Sequence, residues 1–300
     1  MRSLFIAGLL GLAATAATAQ QDFSKVEIKS TDLGQGLYLL TGSGGNIGVS
    51  SGPDGVVLID DQYAPLAPKI RAALDAIAPK QPIRFVLNTH WHGDHTGGNE
   101  NFGEGGALIV AHHNVRKRLA AGGFMEAFKR DVKPAPRKAL PVVTFGEDVE
   151  FHLNGLTLRA EHVAPAHTDG DAVVFFPEAN LVHLGDLYFN GLYPVIDYGS
   201  GGHIDGVIAA VSELLPKLDD KTRIIPGHGP IANKADLIVY RDLLATVAAR
   251  MKKLMAEGKT LEQIQAAKPT AEYDAKWGKQ FLSPEAWVEM VYGGLKRVAK

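Results

Sequence analysis

Short apolar runs bounded by Gly, Pro and Asp dominate the first half of the chain. Leu37–Leu40, Val56–Asp60, Ile83–Leu87 and Ala107–Val110 read as strands, with Asn46–Ser50 a weaker candidate. Between two of them, Leu66, Ile70, Leu74 and Ile77 recur at helical spacing, which predicts an amphipathic helix over 64–78. A second batch of strands follows at Val149–Leu153, Leu156–Arg159, Ala172–Phe176, Leu181–Leu184 and Arg223–Ile225. Asn154-Gly155 sits between two of these runs and predicts a tight hairpin turn. Ile204–Leu215 reads as a helix inserted before the last strand. Residues 114–138 read as a polar helical excursion ending in the Pro-rich Lys133–Pro136. The tail from Ala235 is helical, with Ser283-Pro284-Glu285 marking one helix start.

Two similar batches of strands and helices favour sheets packed face to face with helices outside, an α/β class. With 300 residues, the chain exceeds the usual single domain, though one large layered unit is still possible. Hydrophobic residues at 46% and charged residues at 21% exclude a disordered or fibrous chain. The net charge of −2 gives no basic excess for nucleic acid. Cysteine is absent, which removes disulfides, thiol nucleophiles and Cys-rich zinc modules.

Met1-Arg2-Ser3, the apolar run Leu4–Ala14 and the small-x-small Ala17-Thr18-Ala19 predict an export signal over 1–19, with Gln20 as first mature residue. A periplasmic location and no stable membrane span are therefore expected. The expected organisation is a main domain over 20–234 and a helical extension over 235–300.

Chemistry concentrates in Asn88-Thr-His90-Trp-His92-Gly-Asp94-His95, directly after the strand Ile83–Leu87. Imidazole and carboxylate are natural ligands of a borderline cation such as zinc. His90 and His92 are two apart, so on extended backbone they point the same way and can share one ion. Further metal-capable side chains sit at strand ends: His167 in Pro165–Asp171, Asp186 after Leu184-Gly185, and His228 in Pro226-Gly-His-Gly-Pro230. Seven donors suit two ions better than one.

With these four segments, and an early acidic residue Asp60 at the end of Val56–Ile59, in order over roughly residues 30–235, the chain resembles the metallo-β-lactamase superfamily of metallohydrolases. The resemblance implies a four-layer αββα sandwich of two mixed sheets flanked by helices. It implies a first ion on His90, His92 and His167, a second on Asp94, His95 and His228, and Asp186 bridging or completing the second site. It also implies that Asp60 orients the metal loop from behind. Two zinc ions are expected, with iron or manganese open to an oxygen- and nitrogen-rich site. Many β-lactamases of the family carry Cys where this chain has Asp186; Asp there resembles glyoxalase II-like enzymes and lactonases.

The expected activity is hydrolysis of a cyclic amide or ester by water activated at the metals, with Asp94 as catalytic residue and a β-lactam as leading substrate. The alternatives are a lactone or thioester hydrolase, or a metal-binding accessory protein of a periplasmic redox pathway. The expected partner is a small molecule, and oligomeric state is open. Of the other histidines, His203 in a Gly-rich loop is a candidate substrate contact. His112 and His113 read as surface or first-turn residues, and His152, His162 and His183 as core or cross-strand residues. Trp91 reads as packing beneath the loop, and Tyr188 and Tyr193 as candidates for the cleft wall.

Overall fold

The computed structural model describes residues 22–298; the segment read as an export signal lies outside the described residues. Six strands open the first sheet: β1 Lys29–Gly34, β2 Leu37–Thr41, β3 Ile47–Gly52, β4 Gly55–Ile59, β5 Ile83–Asn88 and β6 Leu108–His112. A small hairpin follows, β7 Gly123–Met125 with β8 Arg130–Val132. β9 Val143–Phe145 then closes the first sheet in the order β1-β2-β3-β4-β5-β6-β9. The second sheet runs β10 Asp148–Leu153, β11 Leu156–His162, β12 Ala172–Phe176, β13 Leu181–His183 and β14 Arg223–Ile225, in that order.

Both sheets are mixed. β4, β5, β6 and β9 pair in parallel, and their crossovers carry α1 Ala67–Ile77, the short α2 Gly93–Thr96 and α3 Asn99–Glu104, then α4 His113–Ala121. β13 and β14 are also parallel, joined through α5 Ile204–Leu214. Parallel pairing demands such crossovers, and these place helices on the outer faces.

The period of two within β4 shows how the layers form. Val57 and Ile59 point inward and pack with Leu158, Val174 and Phe176 of the second sheet. Val56 and Leu58 point outward and pack on Ile70 and Leu74 of α1. The outer face of the second sheet, with Val173, Val182 and Ile224, packs on α5 and on the tail helices α6 Lys234–Ala256, α7 Leu261–Ala266, α8 Asp274–Trp277 and α9 Pro284–Val298. The αββα sandwich expected from the sequence is thus the observed fold. The tail shares one apolar cluster with the second sheet, in which Trp287 stacks on Tyr193 at 4.4 Å and its indole N–H donates to the Pro194 carbonyl.

One local expectation is corrected, and two strands lie outside the sequence reading. The excursion over 114–138 is helical only to Ala121. Gly122 and Gly123 then adopt φ of 61° and 138°, which ends the helix and turns the chain into the β7–β8 hairpin. β9 lies in a short apolar run, Val142–Phe145, that is not singled out as a strand, and β1 carries no apolar signal. β1 is an exposed edge strand held by backbone pairing to β2, so nothing in its side chains marks it. The Asn154-Gly155 turn has positive φ at both residues, as a two-residue hairpin requires.

Candidate metal centre

β5 ends at Asn88, and the backbone leaves the sheet through Thr89 into the His-rich turn. Asp60, at the neighbouring end of β4, organises that turn. Its carboxylate accepts from the Thr89 N–H at 2.7 Å, from the Thr89 hydroxyl at 2.8 Å and from His95 Nδ1 at 2.7 Å. Asp60 is fully buried and has φ of 66°, a conformation held by the surrounding bonds.

Hydrogen bonding from behind settles which nitrogen of each imidazole faces the cleft. His167 Nδ1 lies 2.8 Å from the Val195 carbonyl, which can only accept, so His167 Nε2 carries the lone pair. His92 Nε2 donates to Asp197 Oδ2 at 2.9 Å, leaving its Nδ1 as the free donor atom. The Thr89 hydroxyl gives its proton to Asp60, so His90 Nδ1 donates to it and His90 Nε2 is free. His95 Nδ1 donates to Asp60, leaving Nε2.

The freed atoms converge. His90, His92, His167 and Asp186 form one cluster, and Asp94, His95 and His228 a second, with donor atoms of each within 4.8 Å of one another. Asp186 faces both clusters. Its Oδ2 lies 3.7 Å from His90 Nε2 and 3.5 Å from His167 Nε2. Its Oδ1 lies 3.0 Å from His95 Nε2 and 3.3 Å from His228 Nε2. Asp94 Oδ2 is 3.4 Å from His228 Nε2 and 3.7 Å from His95 Nε2.

These spacings fit cations. Donors arranged tetrahedrally around zinc, with bonds of ~2.0–2.1 Å, stand roughly 3.3 Å apart. His167 Nε2 and His92 Nδ1 stand 3.0 Å apart, and the tautomers above give both a lone pair, so they repel unless a positive charge lies between. His90 Nε2 is buried with no hydrogen-bond partner. Burial holds His90 well below its ordinary pKa and His167 down at about 4, which keeps both in the neutral, ligand-competent form. For His228, burial is outweighed by Asp186 and Asp94, which push it up to about 9.

The loops are tied to each other. Asn46 Nδ2 donates to the Pro226 and Gly229 carbonyls on either side of His228. A Cβ on Gly227 would stand 2.0 Å from Asp186 Oδ1, so only glycine lets the two loops close. Asp171 accepts from the backbone N–H of His167 and Thr168 and fixes the turn before β12.

Beside the clusters lies a cleft of about 350 Å³, lined by His92, Asp94, Asp186 and His228 at its base. Tyr63, Phe189, Leu192 and Val195 form its walls, and Phe128, Gln280 and Phe281 its outer part. The tail therefore contributes to the cleft through the segment between α8 and α9.

Every metal-capable residue singled out in the sequence comes to one of the two clusters, and Asp60 stands behind them. His203 does not line the cleft among the described residues. It is the N-cap of α5, its Nδ1 accepting from the Gly206 N–H. Tyr188 and Tyr193 are buried in the core, and their neighbours Phe189 and Leu192 face the cleft instead. His112 caps α4 and stacks on His162 at 3.7 Å, His183 is buried on Asn46 and Gly185, and the His152 side chain is solvent-exposed. Asp171 and Asp197 escaped the sequence reading. Asp197 follows the apolar pair Val195-Ile196, and its partner His92 lies 105 positions away. Asp197→Asn should leave the fold intact and weaken metal binding about 10–100-fold, checked by competition with a chromogenic chelator; unchanged affinity would remove its role in orienting His92.

A family model described as the metallo-beta-lactamase superfamily matches residues 40–228. A hydroxyacylglutathione hydrolase of Polaromonas sp. is 31% identical over 169 residues, 53% of this chain and 54% of that protein. The 2,4-dinitroanisole O-demethylase subunit alpha of Nocardioides sp. is 28% identical over 144 residues, 47% of this chain and 40% of that protein. The chain thus spans about half the length of the curated relatives it matches. Among solved structures, a metallo-beta-lactamase from Pontibacter korlensis aligns with a TM-score of 0.60 at 22% identity, covering 73% of this chain and 99% of that one. A stereoselective inverting sec-alkylsulfatase from Pseudomonas sp. aligns with a TM-score of 0.65 at 21% identity, covering 88% and 50%. At these identities the two structures speak for the fold alone.

Proposed function

The chain belongs to the metallo-β-lactamase superfamily, and from that premise we propose that it is an exported hydrolase that opens a cyclic ester or amide with two zinc ions. The observation that carries the reading is the pair of donor clusters joined through Asp186. His90, His92, His167 and Asp186 would hold one ion, and Asp94, His95, His228 and Asp186 the other. Two ions bound there supply a water made acidic near neutral pH and a positive pull on a carbonyl oxygen.

The chain's own residues do the remaining work. Asp94 is the carboxylate of the second cluster with a partly exposed side chain, at 22%, and it lines the cleft. It can therefore accept a proton at Oδ and pass it to a leaving group. Asp60, Asp197 and the Val195 carbonyl fix the imidazoles so that no reorganisation is needed at the moment of reaction.

Two carbonyl classes compete. The export signal read at 1–19 favours a β-lactam, which acts outside the cytoplasm. The cleft lining favours the second reading, a neutral lactone or ester: among the described residues that line it there is no lysine or arginine to meet a β-lactam carboxylate or a glutathione moiety. The segment 1–19 supports export by composition. The described residues contain no helix long and apolar enough to cross a membrane.

A panel of nitrocefin, a γ-lactone and an acyl thioester tests the reading. A strong chelator should lower turnover of the active substrate at least about 100-fold, and added zinc should restore it. Full turnover in metal-free protein, or no turnover of any class by zinc-loaded protein, would overturn it.

A further inference from the structure

We propose, resting on the hydrolase reading above, that the substrate carries an apolar chain beside its scissile group and that Phe128 and Phe281 select it. Away from the metal-capable residues, Phe189, Leu192 and Val195 form an apolar wall that leads outward to Phe128 and Phe281. The apolar surface begins at the clusters themselves. Phe189 stacks on His228 at 4.9 Å and 20°, and Phe128 stands edge-on to His92 at 6.1 Å and 79°. Phe281 faces Phe128 at 6.1 Å and 65°, so the two rings form the rim.

These rings come from unrelated parts of the chain. Phe128 sits in the turn between β7 and β8, with the Arg130 guanidinium over its ring at 5.4 Å. Phe281 precedes α9 and is 60% exposed, a large apolar side chain left in water at the mouth of a concave site. A chain lying across the two rings would cover that surface, and this burial is what drives apolar ligands into such pockets. A short polar substrate would leave it uncovered. The polar cleft residues beyond the clusters, Ser43, Tyr63 and Gln280, are all uncharged types, which suits an alkyl or acyl chain better than a charged one.

Binding of straight-chain hydroxamates to the zinc-loaded full chain tests this without turnover. The hydroxamate end engages the ions and the chain samples the cleft. From acetohydroxamate to octanohydroxamate, calorimetry should show Kd falling at every added methylene. Full burial would give about fourfold per step, so partial burial should give at least about 50-fold over six steps. Phe281→Ala, at an exposed position, should cut that ratio at least about fivefold, and Phe281→Leu should keep most of it. Val239→Ala, an exposed apolar position on α6, serves as control and should leave the ratio in place. Tight acetohydroxamate binding with no gradient along the series would overturn the chain selectivity while sparing the metal-site reading. Binding of no member would overturn both.

Discussion

Asp186→Ala should reduce turnover by about a thousandfold or more and weaken metal retention at both clusters. Each oxygen of this carboxylate faces a different set of imidazoles, Oδ2 towards His90 and His167, Oδ1 towards His95 and His228. Removing it takes one donor from each cluster and leaves five imidazoles with only Asp94 to balance two cations. Loss of several kcal/mol of transition-state stabilisation corresponds to that fall in rate. Asp186→Asn separates the two roles. Its amide presents one oxygen and one NH₂ group, so it can serve only one cluster, and it should retain about one ion per chain. Elemental analysis after gel filtration, beside kcat/KM on the active substrate, checks both variants. Two ions and near-normal turnover in Asp186→Ala would show that the carboxylate does not join the clusters.

Asp60→Ala should have the largest effect on folding, destabilising the metal-free protein by at least about 4 kcal/mol. The side chain is fully buried and takes three hydrogen bonds, from the Thr89 N–H, the Thr89 hydroxyl and His95. Each orphaned buried donor costs ~1–3 kcal/mol. Alanine also disfavours the left-handed backbone at this position, where φ is 66°. Asp60→Asn tolerates that backbone and keeps one acceptor oxygen, so it should lose roughly half as much. Urea unfolding of metal-free wild type and both variants measures this. A loss below about 1 kcal/mol for Asp60→Ala would mean that the turn holds its shape without the carboxylate.

The strands of the sandwich interior were legible because burial on both faces writes an unbroken apolar run, as in Val56–Ile59 and Ala172–Phe176. β1 was not, because an exposed edge strand needs only backbone pairing. The β7–β8 hairpin was not, because three-residue strands carry too little pattern to stand out from a polar helix. The seven metal-capable residues were visible because metal chemistry restricts them to few residue types placed at strand ends. Their supports were less so. Asp60 could be placed only through its match to the family's early acidic position, while Asp197 meets His92 through the fold alone. The cleft wall was misphased: 188–195 lacks regular secondary structure over most of its length, so no period tells which side chains face inward. Tyr188 and Tyr193 turned to the core, and Phe189, Leu192 and Val195 to the cleft.

The decisive measurement is the metal content of the purified chain after equilibration with zinc and removal of the excess. Two tightly held ions per polypeptide is the predicted result. A chain that retains none, or that holds its zinc equally well after loss of His167 and His228 together, would contradict the arrangement on which the chemistry rests.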